Sequence, residues 1–171
     1  MTNPPQPGTP EWEAYLSEGN ATQARKRVAA DLLIRDQLGR LLIVDPTYKP
    51  DWDLPGGMAE EHEPPVIAAA RELREELDLA IVPGRLLCVD WIPPHGPWDD
   101  QLAFIFDGGT LDAAVASALR PHDSELGAIR FATAEEAARL LRPSVWSRAQ
   151  HALRALEAET AVYLHHGRPV S

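Results

Sequence analysis

The sequence predicts an α/β layered fold, and three observations carry that expectation. Short apolar runs of strand length recur along the chain: Arg27–Arg35, Leu41–Val44, Arg85–Ile92, Gln101–Phe106 and Ile129–Phe131. Between them lie segments whose apolar residues repeat at helical spacing. The length, 171 residues with 44% apolar, suits one domain core and is tight for two. Strands mixed with helices bury their apolar faces by stacking as layers.

Taken in order, Met1–Pro10 is rich in Pro, Thr and Asn and reads as a loose terminus. Glu11–Ser17 is expected as a short helix. Residues 1–26 are thus a tail, and residues 27–171 are expected to form a single domain. Arg27–Arg35, with Val28, Leu32, Leu33 and Ile34, and Leu41–Val44 flank the turn Asp36-Gln-Leu-Gly39, which predicts a hairpin. Pro46–Pro55 is a loop carrying Tyr48, Lys49, Trp52 and Asp53. Gly56-Gly57 marks a tight backbone turn. A helix should start near Pro64-Pro65, since Pro suits a first helical turn, and run to about Leu77. Asp107-Gly108-Gly109 is expected to end the strand from Gln101. Thr133-Ala-Glu-Glu136 is a capping box that opens a helix stopped by Pro143. A last helix covers about Ser144–Ala158. Its stripe, Val145, Ala149, Ala152, Leu153 and Leu156, packs either on the domain or on a second chain.

Charge and cysteine narrow the function. A net charge of −10 repels a nucleic-acid backbone and argues against long DNA or RNA as partner. Cys88 is the lone cysteine, so neither an intrachain disulfide nor a cysteine-built zinc cage is available. No apolar run is long enough to span a bilayer, and no basic-then-apolar leader opens the chain. A cytoplasmic location is therefore expected.

The helix near Pro64–Leu77 has an uneasy polar face. Val66, Ala70, Leu73 and Leu77 form an apolar stripe. Glu72, Glu75 and Glu76 fall at i, i+3 and i+4, where like charges destabilise a helix by a few tenths of a kcal/mol per pair. They also lie toward its C-terminal half, where the helix dipole disfavours anions. Arg71 and Arg74 relieve part of this. Either the face is simply solvated, or a hard divalent cation sits among the carboxylates; oxygen ligands alone suit Mg2+ or Mn2+.

The stretch Gly57-x5-Glu63-x7-Arg71-Glu72-Leu73-x-Glu75-Glu76-x-x-Leu79 resembles the signature of the Nudix hydrolase family. Every charged position matches, and the one departure is Asp78, where the family has Gly. That Gly ends the helix in a left-handed conformation, which Asp tolerates better than most residues. The resemblance implies an α/β/α sandwich around a mixed β-sheet, with the motif forming a loop–helix–loop. It implies that Glu72, Glu75 and Glu76 bind Mg2+ (or Mn2+), that Glu63 pairs with Arg71, and that Gly57 lets the backbone approach substrate or metal. The Gly56 carbonyl and Glu125, in the loop before Ile129-Arg-Phe131, are further candidate ligands. The implied reaction is hydrolysis of a small-molecule diphosphate, namely an NTP, a sugar nucleotide or a dinucleotide. A prenyl diphosphate and a silent nucleotide sensor are the alternatives, and a homodimer is implied as the assembly.

Substrate contacts must come from outside the motif. Trp91 and Trp98 offer faces for a base or an isoprenoid to stack on, or they pack on the sheet rim. Tyr48 and Trp52 precede the motif and are candidates for base or phosphate contact. Arg27 opens a strand from which it would meet a terminal phosphate.

Overall fold

The structure, a computed structural model, describes residues 4–170; Met1–Asn3, the start of the expected loose terminus, and Ser171 lie outside the described residues. In chain order the elements are α1 (Pro10–Thr22), β1 (Arg27–Arg35), β2 (Leu41–Pro46), β3 (Gly56–Met58), α2 (Pro65–Leu77), β4 (Leu86–Ile92) and β5 (Gln101–Thr110). There follow α3 (Ala113–Ala118), β6 (Leu126–Ala132), α4 (Ala134–Leu140), α5 (Pro143–Glu157), β7 (Val162–His165) and β8 (Arg168–Pro169).

The expected hairpin forms, and its two strands then part. The Asp36 carboxylate accepts the backbone N–H groups of Leu38 and Arg40 at 3.0 and 2.9 Å, and Arg35 faces Leu41 across the turn. Beyond that point β1 pairs with β3 instead, Asp31 opposite Gly56 and Ala30 opposite Gly57. Residues 47–55 bulge out between β2 and β3, tied back where Val44 bridges Asp53. Nothing in the local sequence announces this short third strand. It places the glycine pair against the middle of the sheet.

The sheet runs β6-β2-β1-β5-β4-β7-β8, with β3 beside β1. It is mixed: β1 with β5 and β4 with β7 are parallel, and the other pairs are antiparallel. Successive β1 residues point to opposite faces. Leu33 joins Ile43, Ile105 and Leu164 beneath Val145, Ala149 and Ala152 of α5. Ala30, Leu32 and Ile34 join Leu42 and Val44 beneath Ala68, Ala69, Leu73 and Leu77 of α2. The α5 stripe is thus spent on the chain's own sheet, with Leu153 and Leu156 packed at its border, which removes the ground that stripe offered for a second chain.

Local signals and tertiary packing disagree in a few places. The apolar stripe of α2 is Ala68, Ala69, Leu73 and Leu77, whereas Val66 and Ala70 are only half-buried. The helix is rolled so that Glu76 turns inward. β5 continues through Asp107–Gly109 to Thr110, and a register shift opposite Leu33–Arg35 absorbs the irregularity. α1 runs well past Ser17 and is capped by Thr9, whose side chain accepts the Trp12 N–H at 3.2 Å, but none of its residues is buried. The capping box holds: Thr133 and Glu136 exchange their hydrogen bonds at the start of α4. Neither α3 nor the β7–β8 hairpin has a sequence signal, since both are too short for a period to register.

Candidate active site

α2 begins at Pro65 and ends at Asp78, which adopts the left-handed conformation at φ 49°. The site is organised along this helix by Arg71. Its Nε and Nη2 grip both oxygens of Glu63 at 2.9 Å each, a bidentate fork that is stronger than a single neutral hydrogen bond. Nη1 donates to Glu72 at 3.0 Å and to Glu75 at 2.9 Å, and Nη2 also donates to the Met58 carbonyl at 3.0 Å. The Arg71 guanidinium, helped by the Glu60 N–H, pulls the Glu63 carboxyl down to about 2. Arg71 and Glu63 thereby staple the loop after β3 onto the helix.

The three helix glutamates are not equivalent. Glu75 faces water, with 56% of its side chain exposed. Glu72 lies against Gly57, where an added Cβ would come within 2.5 Å of its carboxyl carbon. Burial raises the Glu72 pKa, and its bond from Arg71 lowers it. Glu76 is 5% exposed, and its Oε2 has no hydrogen-bond partner among the described residues. Burial first, and then the Glu72 charge, push it up to about 8, against the pull of the Gly56 N–H. Gly56 itself has φ +141°, and a Cβ there would meet the Ala30 carbonyl oxygen at 2.3 Å. Both glycines are therefore required, one by the sheet and one by a carboxylate.

Two further acids approach from the loop before β6. Glu125 is exposed and its charge reaches Glu72. Asp123 is half-buried and its charge reaches Glu76. The two are linked, since Asp123 accepts the Glu125 N–H at 2.9 Å, and the neighbouring His122 N–H donates to the Glu76 carbonyl at 2.7 Å. Asp123 and Asp31 both lie outside the candidates that the sequence supplies. Asp31 sits on β1 opposite Gly56, is 8% exposed, and is pushed up to about 7 by burial and then by Asp53. An Asp inside the apolar run Val28–Ile34 is a visible signal: a buried acid in a strand demands a partner.

These donors fit a hard divalent ion. All are oxygens, one buried carboxylate oxygen lacks a partner, and the backbone at Gly57 leaves the Glu72 carboxylate unobstructed. Among the described residues no three acidic or imidazole groups enclose a common point. The chain presents two inward carboxylates, Glu72 and Glu76, rather than a finished cage.

The candidate substrate contacts separate into groups. Arg27 lies 4.5 Å over the Trp98 ring, with Nη2 3.8 Å from the Met58 sulfur. Trp91 stands edge-on to His165 at 4.6 Å and donates its Nε1–H to Asp100 at 2.8 Å. Trp52 packs on the α5-side core beneath Arg130, which is 5.7 Å from its ring. Tyr48 is exposed, close enough to Glu76 and Glu125 to feel their charge, and beside Lys49, whose Nζ pairs with Asp53 at 2.5 Å. Cys88 is buried in the α5-side core, and burial pushes its thiol up to about 12. It is inert at neutral pH.

A model of the NUDIX domain matches residues 25–162. The phosphatase NudJ of Escherichia coli (strain K12) is 33% identical over 101 residues, covering 57% of this chain and 63% of that protein, so the match spans just under two thirds of the curated relative. Among solved structures, the MutT protein from Methanosarcina mazei Go1 superposes with a TM-score of 0.63 at 22% identity, over 80% of this chain and 99% of that one. An Ap4A hydrolase of C. elegans superposes with a TM-score of 0.63 at 19% identity, over 78% of this chain and 98% of that one. These structural likenesses are likenesses of fold.

Proposed function

Because the chain belongs to the NUDIX family, we propose that it is a divalent-cation-dependent hydrolase that cleaves a diphosphate bond in a nucleoside diphosphate linked to another moiety: an NTP, a sugar nucleotide or a dinucleotide. The unit that carries this activity is residues 27–171, with 1–26 as an appended tail. The observation that supports the reading best is the pair Glu72 and Glu76. One is pressed against Gly57, and the other is buried with an unpaired oxygen. Two inward carboxylates one helical turn apart are costly unless a cation joins them.

Glu72 and Glu76 would hold Mg2+, or Mn2+ in its place, with the Gly56 carbonyl, Glu75 and Glu125 as further ligands. When bound, the ion offsets charge on the diphosphate and lowers the pKa of a bound water. The chain's own residues do the rest. Arg71, oriented by Glu63, sets the Glu72 carboxylate and opposes the rise that burial gives its pKa. The proton of the attacking water passes to a carboxylate, one of Glu72, Glu75, Glu76 and Glu125. Gly57 lets the backbone close on the substrate. The stacked Arg27 and Trp98 offer a flat cationic surface for a base or a phosphate. Tyr48 lies close enough to Glu76 and Glu125 to feel their charge, and Trp52 would contact substrate only from the α5-side core on which it packs. Trp91, with its N–H committed to Asp100, contributes only an edge.

The test is phosphate or pyrophosphate release across NTPs, sugar nucleotides, dinucleotides and prenyl diphosphates, with Mg2+ and with chelator. Chelator-sensitive release from at least one nucleotide is expected. Release from none of them overturns the proposal, and release from prenyl diphosphates alone replaces the substrate class.

A further inference from the structure

Asp31 is a buried acid that the chemistry above does not use. It sits in β1 on the face toward α5, two residues before Leu33 and opposite Gly56 of β3. It is 8% exposed, and no hydrogen bond to its carboxylate forms among the described residues. The nearest cation is Arg148 of α5, whose Nη1 stands 3.9 Å away, too far to donate. Arg148 cannot simply swing across, because its Nε is held at 3.0 Å by Asp90, and Asp90 also accepts the Gly167 N–H at 3.0 Å. Lys49, on the loop after β2, is likewise committed to Asp53. The two cations near Asp31 thus hydrogen-bond other acids, Arg148 to Asp90 and Lys49 to Asp53, and Arg148 reaches Asp31 only as a 3.9 Å ion pair.

The residues beside Asp31 on its sheet face are small. On the same sheet face the neighbouring positions toward the strand starts are Ala29 and Ala103, which pair with each other across β1 and β5. Two alanines side by side put only methyl groups beside the carboxylate there. Lys49 and Asp53 bring the loop after β2 close enough for their charges to reach Asp31. The glycines of β3 put only backbone between Asp31 and the glutamates of α2, and Asp31 and Glu76 are close enough to feel each other's charge. When ionised, that carboxylate has only acceptors to offer, so its complement is a group with N–H donors.

We propose that Asp31 determines substrate specificity: its carboxylate accepts N–H donors from the amino-bearing edge of a nucleobase whose diphosphate lies at Glu72 and Glu76. This rests on the nucleotide reading above and narrows it to bases that carry an exocyclic amino group. An analogue that puts a carbonyl there faces oxygen against oxygen and leaves Asp31 unpaired. A site built to bond a donor rejects a mismatched analogue strongly for that reason.

The test measures binding, so it does not depend on turnover. Affinities of AMP, GMP and CMP are compared with those of IMP, XMP and UMP by calorimetry, with Mg2+ present, for the parent and for Asp31→Asn. The parent should bind at least one amino-bearing nucleotide tenfold or more tighter than its oxo counterpart. Asp31→Asn should level that ratio to within twofold, weakening the amino-bearing nucleotide and strengthening its oxo counterpart because the amide can donate to a carbonyl, with the Tm no lower, since it removes a buried charge. Equal affinity of the parent for both sets, binding of neither set, or an undiminished ratio in Asp31→Asn overturns the proposal. Parent discrimination needs no variant, so a misfolded mutant does not decide the matter. Phosphate release from nucleotides without such discrimination would sink this inference and leave the proposed hydrolase intact; discrimination without release would do the reverse.

Discussion

Replacing Glu76 with Gln removes a charge while keeping its size, and the structure says what that should do at each pH. In the metal-free chain the Glu76 carboxyl is pushed from 4.5 up to about 8 by burial and by Glu72. A carboxyl raised in this way keeps its proton in the folded state where the unfolded chain has already lost it. Stability is therefore intact below about pH 4.5, falls as pH rises through the window up to about 8, and levels off above it. At ~1.4 kcal/mol per pH unit the loss is roughly 3 kcal/mol at pH 7. The neutral amide of Glu76→Gln has no such dependence. Urea unfolding in chelator should find parent and Glu76→Gln nearly equal at about pH 5, with the variant more stable by a few kcal/mol near pH 8. Added Mg2+ should reverse the order at about pH 8 by stabilising the parent alone, and turnover of the variant should drop by about 100-fold or more. Identical pH dependence of the two proteins in chelator, or full turnover of the variant with Mg2+, would refute the reasoning.

Three other sets of substitutions probe separate parts of the fold and site. Gly57→Ala pushes the far end of the Glu72 side chain aside, so kcat/KM should fall about tenfold or more with little change in Tm, whereas Gly56→Ala meets the β1 backbone at φ +141° and should lower stability by about 2 kcal/mol or more in urea unfolding. Asp78→Gly relieves a left-handed residue at φ 49° and should raise stability by about 0.5 kcal/mol, read as Tm, with activity unchanged. Arg148→Met strands Asp90 without its guanidinium in the core and should cost about 3–5 kcal/mol in the free energy of urea unfolding.

The parts that sequence reveals are those set by neighbours within one helical turn. Pro65 at the start of α2, Asp78 at its end, the Thr133–Glu136 box and the Asp36 turn all depend on contacts between residues at most four apart, and spacing alone encodes them. The Arg71–Glu63 fork also follows from the motif. Other features need the fold. Which way α2 rolls, and so that Glu76 is buried while Glu75 faces water, is decided by the sheet beneath it. The pairing of β3 with β1, the stack of Arg27 on Trp98, and the arrival of Asp123 beside Glu76 join residues far apart in the chain. Sequence by itself determined the layered class, the helix that bears the acids and their kind of chemistry, because periodicity and charge are local properties. Only the tertiary structure decided which acids are buried short of hydrogen bonds among the described residues, Glu76 at its Oε2 and Asp31 among them, because burial and the loss of water are properties of the whole packed chain.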